Sequence, residues 1–348
     1  MSEIQPLIFA IDSIHEGKTL SADVIAAAFR VIMSGNATDG MIGAFLSMLA
    51  CRIPTGDELY GASIVMKECV ERVELPNPDT LLDTCGTGGA PKTFNVSTAA
   101  GIVAAACGAR VAKHGNRSRT GRGSAEILEQ LGINIETTVD QQVACLEQVG
   151  ICFCFAPTHH KAVAHVMPVR KELPFPTIFN LLGPLTNPCS AGRQLLGVWS
   201  NQYVMPMAEA LQQNGTIRSA VVHSHDGLDE ISISAPTRIV YINQSSITED
   251  VLVPEELGLQ CSDLESVTAH DLPEATVFMR ECLIEGKRGA PRDMVLLNSG
   301  VSLLVAGLVE TVEEGITKSS TAIDSGHVEA VLQRWVEVSN THRSSTEQ

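Results

Sequence analysis

The sequence predicts an α/β protein: a small helical N-terminal domain plus a larger domain with a mostly parallel sheet flanked by helices. Three observations carry this prediction. From Ile8 to Glu74 apolar residues recur at helical spacing; beyond Leu81 short apolar runs alternate with helical stretches; and two of those runs end in glycine-rich turns. In the first part, Ala22, Ile25, Ala26, Phe29 and Ile32 mark one amphipathic helix and Ile42, Phe45, Leu46 and Leu49 another, with Ser21 and Thr38 as N-caps. The turn-rich run Leu75–Asp79 ends this domain. Strands are expected at Leu81–Cys85, Arg110–Lys113, Ile151–Phe155, Gln194–Trp199, Ser219–His223 and Arg238–Ile242. Helices are expected near Ser97–Cys107, Ser124–Leu131, Asp140–Val149 and Tyr203–Gln213, and again after Asp271. The proline-containing stretch from Ala156 to Pro188 breaks the alternation and reads as a connection returning to the helical domain. The expected organisation is a helical domain over 1–75 joined by 160–190, an α/β domain over 76–159 and 191–340, and a polar tail over 341–348, with fraying from Ser339 onward.

Composition narrows the function. The chain has 348 residues, 44% hydrophobic and 18% charged, with a formal net charge of -16. Such a surface repels nucleic acid and anionic membranes, so an anionic ligand must be met by a local field. The segment Arg110–Arg122 offers one, with Arg110, Lys113, Arg117, Arg119 and Arg122 and no carboxylate among them. Neither a signal segment nor an apolar run of membrane-spanning length is visible, and a cytoplasmic location is expected. The ten cysteines include no CxxC pair, which supports neither zinc nor a thioredoxin-type motif; buried free thiols are the expectation.

The chemistry concentrates between Asp83 and Ser124. Gly86-Thr87-Gly88-Gly89 follows one expected strand, and Lys113-His114-Gly115-Asn116-Arg117 opens a second glycine-bearing loop that continues through Arg119, Gly121, Arg122 and Gly123. Glycine admits phosphate oxygens close to backbone N–H groups, and a following helix N-terminus adds its positive end. The first loop has neither the Walker nor the GxGxxG spacing. Asp229 and Glu230, just past another apolar run, suit a hard cation such as Mg2+, though a solvated acidic turn has the same sequence. Ser97 reads either as an N-cap or as a hydroxyl aimed at ligand or metal. His159, His160 and Arg170 form a third group: the histidines lack the zincin pattern, and Arg170 fits either a substrate carboxylate or a neighbouring acid such as Glu172. Asn180–Pro184 supplies a shape-defining turn.

In this order the pieces resemble the anthranilate phosphoribosyltransferase family. The resemblance rests on GTGG at 86–89, TFNVSTA at 93–99, VAKHGNRS at 111–118, GSAEILEQLG at 123–132, PVRKEL at 168–173, TIFNLLGPLTNP at 177–188 and GLDEIS at 227–232. It implies transfer of the 5-phosphoribosyl group from phosphoribosyl pyrophosphate to the amine of anthranilate in tryptophan biosynthesis, Mg2+ dependence, and a homodimer formed through the helical domains. By that resemblance Gly86, Gly89, Ala90, Thr93, Asn95, Val96, Ser97, Thr98, Lys113, His114, Gly115, Asn116, Arg117, Ser118, Arg119, Thr120 and Ser124 meet the donor. Gly86, Asn116, His160, Arg170 and Gly183 line the anthranilate path, and Ser97, Asp229 and Glu230 reach Mg2+. No side chain is assigned as an obligatory acid or base. The chain departs from the family at Ala90, where an Asp is usual, and at Arg119 and Arg122, which replace part of a serine-rich loop and suit bidentate phosphate contacts. A different aromatic amine acceptor or a nucleoside-phosphorylase-like activity are the alternative enzymes, and a noncatalytic nucleic-acid-binding relative is the alternative outside enzymes.

Overall fold

The computed structural model describes residues 3–90, 93–118 and 121–341. Helices α1 (Gln5–His15), α2 (Ala22–Met33), α3 (Asp39–Ala50) and α4 (Gly56–Glu68) come first. Their starts follow from side-chain oxygens: Ser21 accepts from the Val24 N–H, Thr38 from the Met41 N–H, and Thr55 with Glu58 closes a reciprocal capping box. Then comes a sheet of seven strands, β1 (Leu81–Gly86), β2 (Arg110–Gly115), β3 (Ile151–Phe155), β4 (Arg193–Gly197), β5 (Arg218–Ser224), β6 (Thr237–Asn243) and β7 (Ile247–Leu252), in the order β3-β2-β1-β4-β5-β6-β7. The first five run parallel; β6 and β7 are antiparallel additions. Strand β7 was not expected from the sequence. Its Thr248–Val251 stretch is exposed and acidic, so it carries no apolar signal; carboxylates on an edge strand deter pairing with other chains.

Between the strands lie α5 (Val96–Ala106), α6 (Ser124–Gln130), α7 (Val139–Val149), α8 (Ala156–His159), α9 (Met167–Glu172), α10 (Ile178–Leu182) and α11 (Val204–Gln213). Helices α12 (Leu272–Leu283), α13 (Ala290–Ala306), α14 (Val312–Asp324) and α15 (His327–Asn340) close the chain. The alternation of side chains along a strand splits the apolar residues between two cores. Leu195, Ala220, Val222 and Ile239 join α5 and α13 in one. Their strand neighbours Leu196, Val221 and Val240 join α11 and the first four helices in the other. Val166, Val169, Ile178 and Phe179 also enter this second core, so the segment holding α9 and α10 lies against α2, α3 and α4. At the far end, Ser339 and Asn340 are not frayed. They complete α15, and buried Ser339 accepts from the Asn134 N–H at 3.1 Å. Residues 342–348 of the expected tail lie outside the described residues.

Candidate active site

The sheet grows from β1 toward β2 and β3 on one side and restarts with β4 on the other, so its direction reverses between β1 and β4. Such a reversal opens a crevice at the carboxyl ends of the strands. Here the two strands end on paired glycines, Gly86 and Gly197. Asp229 occupies the space that their missing side chains leave. A Cβ on Gly86 would stand 2.6 Å from Asp229 Oδ2, and one on Gly197 would overlap the Asp229 carbonyl oxygen. The Gly88 N–H donates to Asp229 Oδ2 at 3.1 Å. Gly88 and Gly89 have φ of +68° and +96°, which residues with a Cβ rarely adopt. Further along the same loop, Thr93 Oγ1 donates to Glu230 Oε2 at 2.5 Å. The acidic pair is therefore no solvated turn: each carboxylate grips one end of the first glycine loop. Trp199 backs the loop, its ring lying beside Gly89 and its backbone N–H donating to Thr87 Oγ1 at 3.2 Å.

Helix α5 starts behind this loop. Its N-cap is Asn95 in the left-handed region (φ 68°), not Ser97, which lies inside the first turn. Ser97 Oγ instead accepts from Lys113 Nζ at 3.4 Å. Lys113 is 1% exposed and also donates to the Thr84 carbonyl at 2.5 Å. Burial lowers its pKa, opposed by the charges of Asp83, Cys85 and Glu230. Val96 and Thr98 are buried within α5, and Ala90 is half-buried at the end of the first described stretch.

The second loop follows β2. Asn116 is exposed, with Oδ1 accepting from the Arg117 N–H at 2.8 Å. The Arg117 guanidinium forks onto Glu129 at 2.6 and 2.7 Å, on the solvent side. The Arg122 guanidinium donates to the Ala269 carbonyl, while its carbonyl accepts from Asn95 Nδ2 at 3.2 Å and so ties the two loops together. The Glu126 carboxylate gathers the N–H groups of Ser118 and Gly123. Ser124 Oγ points to the Asn116 carbonyl at 3.4 Å, and Gly115 must lack a side chain because one would run into that hydroxyl. Arg119 and Thr120 lie outside the described residues.

On the opposite wall the two histidines part company. His159 is buried with both ring nitrogens engaged, Nδ1 on the Glu71 carbonyl at 2.7 Å and Nε2 against Gln142 Nε2 at 3.0 Å, which is a structural role. His160 faces His114, Nε2 to Nε2, at 3.2 Å. Burial and neighbouring imidazoles keep both neutral: burial, then His160 and His159, drive His114 well below its ordinary pKa, and burial followed by His159 takes His160 down to about 4. The backbone of Gly183 also bonds His114. Arg170 lies with its guanidinium 5.0 Å from the centre of the Phe179 ring. One residue of this frame was missed from sequence. Asp83 is fully buried and accepts from the His114 N–H (3.1 Å), Asn187 Nδ2 (2.9 Å) and Gln194 Nε2 (3.3 Å). It thus clamps β1, β2, β4 and the 177–188 segment together. The signal was available: a carboxylate inside the apolar run Leu81-Leu82-Asp83 demands buried partners.

A switch-point crevice with glycine loops on one wall, and a helical lobe across it, defines a two-lobed glycosyl transferase. Residues 78–329 match the glycosyl transferase family a/b domain, and residues 10–69 match the helical bundle domain of the same family. Within it, the chain belongs to the anthranilate phosphoribosyltransferase family. It is 44% identical over 325 residues to the anthranilate phosphoribosyltransferase of Rubrobacter xylanophilus, covering 93% of this chain and 94% of that one. With the Thioalkalivibrio sulfidiphilus enzyme it shares 43% over 329 residues, 94% and 97% of the two chains. Among solved structures, that of anthranilate phosphoribosyltransferase from Thermus thermophilus superposes with a TM-score of 0.89 at 35% identity, covering 95% and 99%. The Saccharomyces cerevisiae enzyme in complex with PRPP and Mg superposes with 0.86 at 26% identity, covering 96% and 98%.

Proposed function

We propose that this chain transfers the 5-phosphoribosyl group of phosphoribosyl pyrophosphate to the amine of anthranilate, with release of diphosphate. The observation that carries the reading is the crevice at Gly86 and Gly197, where Asp229 and Glu230 hold the glycine loop that a diphosphate needs. Gly86, Gly89, Thr93, the first turn of α5 at Asn95–Ser97, Lys113 and the Asn116–Ser118 backbone take the donor. The donor set Ser97, Asp229 and Glu230 is all hard oxygen, and two carboxylates completed by substrate phosphates are what Mg2+ accepts. Those three residues would hold it, and when bound it supplies neutralisation of the leaving diphosphate.

The reaction breaks the bond from the anomeric carbon to the diphosphate oxygen, forms the carbon–nitrogen bond, and releases one amine proton. A ribosyl centre with oxocarbenium character is stabilised by position and by a dry, preorganised crevice. Anthranilate's amine is already neutral at pH 7, and the neutral pair of His160 and His114, hydrogen-bonded Nε2 to Nε2, adds no positive charge beside the developing cation. Arg170 orients the acceptor's carboxylate, with Asn116, Gly183 and Gly86 along the path. A homodimer through the helical lobe fits the exposed Phe9 beside the groove between α1 and α2. A cytoplasmic location fits the ten free cysteines, and among the described residues no helix is long and apolar enough to cross a membrane.

The deciding experiment is steady-state turnover of the purified chain with anthranilate and donor, with and without Mg2+. Formation of phosphoribosyl anthranilate only with Mg2+ is expected; turnover of nucleosides with phosphate in its place would overturn the reading.

A further inference from the structure

Behind the acceptor wall, three cysteines that the sequence scatters come together. Cys152 and Cys154 alternate on β3 and so share a face of the sheet, and Cys189 meets them from the turn after Asn187. Their sulfurs lie within 4.8 Å of one another, with Cys154 and Cys189 3.4 Å apart. The three residues are 0, 0 and 1% exposed. Among the described residues no further His, Cys, Asp or Glu donor completes the group. His159, whose charge bears on Cys189, has both ring nitrogens bonded elsewhere.

We propose that Cys152, Cys154 and Cys189 form a binding site for a trivalent, three-coordinate thiophilic centre, with arsenous acid as the ligand class it takes. Three sulfur donors without nitrogen or oxygen select soft centres. Zinc is disfavoured because it seeks a fourth ligand. Charge makes the remaining choice. Three thiolates around a cuprous ion leave two negative charges, and around a divalent ion one, in a dry site where the charge of Asp83 already bears on Cys154. Three thiolates around trivalent arsenic leave none. The step is a condensation without redox change: three arsenic–oxygen bonds of arsenous acid break, three arsenic–sulfur bonds form, and the three thiol protons leave in three water molecules. Hydrogen bonds from Cys152 and Cys154 hold the Cys189 thiol down, which makes it the first nucleophile. Occupancy reaches the active-site frame by one path. The Cys189 N–H donates to Asn187 Oδ1 at 2.8 Å, and Asn187 Nδ2 holds Asp83.

The test incubates the reduced full-length chain anaerobically with arsenous acid and weighs it by native mass spectrometry after desalting. One arsenic gained for three hydrogens lost is expected, with slow onset because the site is buried. Cys154→Ala and Cys189→Ala should each lower retained arsenic at least ten-fold, whereas Cys51→Ala and Cys261→Ala, at exposed thiols, should not. No retained arsenic on the natural chain, or retention unchanged in Cys154→Ala, overturns the proposal. Should the core variants fail to fold, X-ray absorption on the loaded natural chain still decides: three sulfur neighbours around arsenic support the site, and two or fewer refute it. Displacement of bound arsenic by an equimolar cuprous or zinc ion refutes the choice of ligand class.

Discussion

The two walls of the crevice handle charge in opposite ways. On the wall proposed for the donor, charge is kept: the carboxylates of Asp229 and Glu230 each accept a hydrogen bond from the first glycine loop, at Gly88 and Thr93. On the wall proposed for the acceptor, charge is suppressed: His114 is pressed toward neutrality by burial, His160 and His159, and His160 by burial and His159. The difference follows the chemistry. A polyanion that must depart needs fixed charges around it, whereas a neutral amine approaching a cationic carbon is best met by groups that add none.

This contrast can be broken most decisively at Asp229. Asp229→Ala removes both the anchor of Gly88 and a carboxylate of the proposed cation pair, and kcat/KM should fall roughly 10²–10³-fold, the scale of losing one preorganised electrostatic group. A loss below ten-fold in steady-state assays with saturating Mg2+ would mean that the donor wall does not work through this residue. Next in size is Arg170→Ala, which should raise the KM for anthranilate about 10–100-fold, the worth of a charge-assisted hydrogen bond, and leave the donor KM nearly unchanged. Equal effects on both substrates would erase the division between walls. Arg170→Lys should recover only part, because the fork is lost.

The suppressed charge on the acceptor wall has a pH signature. The pKa of His160 is lowered from 6.5 to about 4 by burial and His159. Between those values the unfolded chain binds a proton that the folded chain refuses, so stability falls as pH drops through this window and is fully restored above it. His160→Gln should flatten the fall in Tm between about pH 6.5 and pH 4 by up to one proton's worth, about 1.4 kcal/mol per pH unit. An unchanged slope would show that the imidazole titrates normally. The smallest effect is expected at Arg117, whose side chain is 44% exposed and whose guanidinium faces Glu129 rather than the crevice. Arg117→Ala should cost less than about 1 kcal/mol and leave the donor KM within about two-fold; a large rise in donor KM would show that the second loop swings this arginine inward.

Local signals explain what could be read from the sequence. Ser21 and Thr38 cap their helices as expected because capping needs only neighbours in the chain. Strands β1 to β6 were legible because their apolar runs are buried; β7 was not, since four consecutive residues there face solvent. In the site, the glycine loops announce themselves by composition. What remained hidden depends on contacts over long separations: the clamp on Asp83 joins residues 31, 104 and 111 positions apart. The same holds for Ser97, whose hydroxyl meets Lys113 of β2 rather than capping α5, and for the gathering of Cys152, Cys154 and Cys189.

Gly197 has a consequence for how this chain can vary. Its neighbour is the main chain of Asp229, which no rotamer change can move aside, so the position of the carboxylate that anchors the first glycine loop is set by a residue with no side chain at all. A library randomised at codon 197 and selected for tryptophan-independent growth should return glycine alone. A diversity of residues there would mean that the strand ends can separate without loss of turnover.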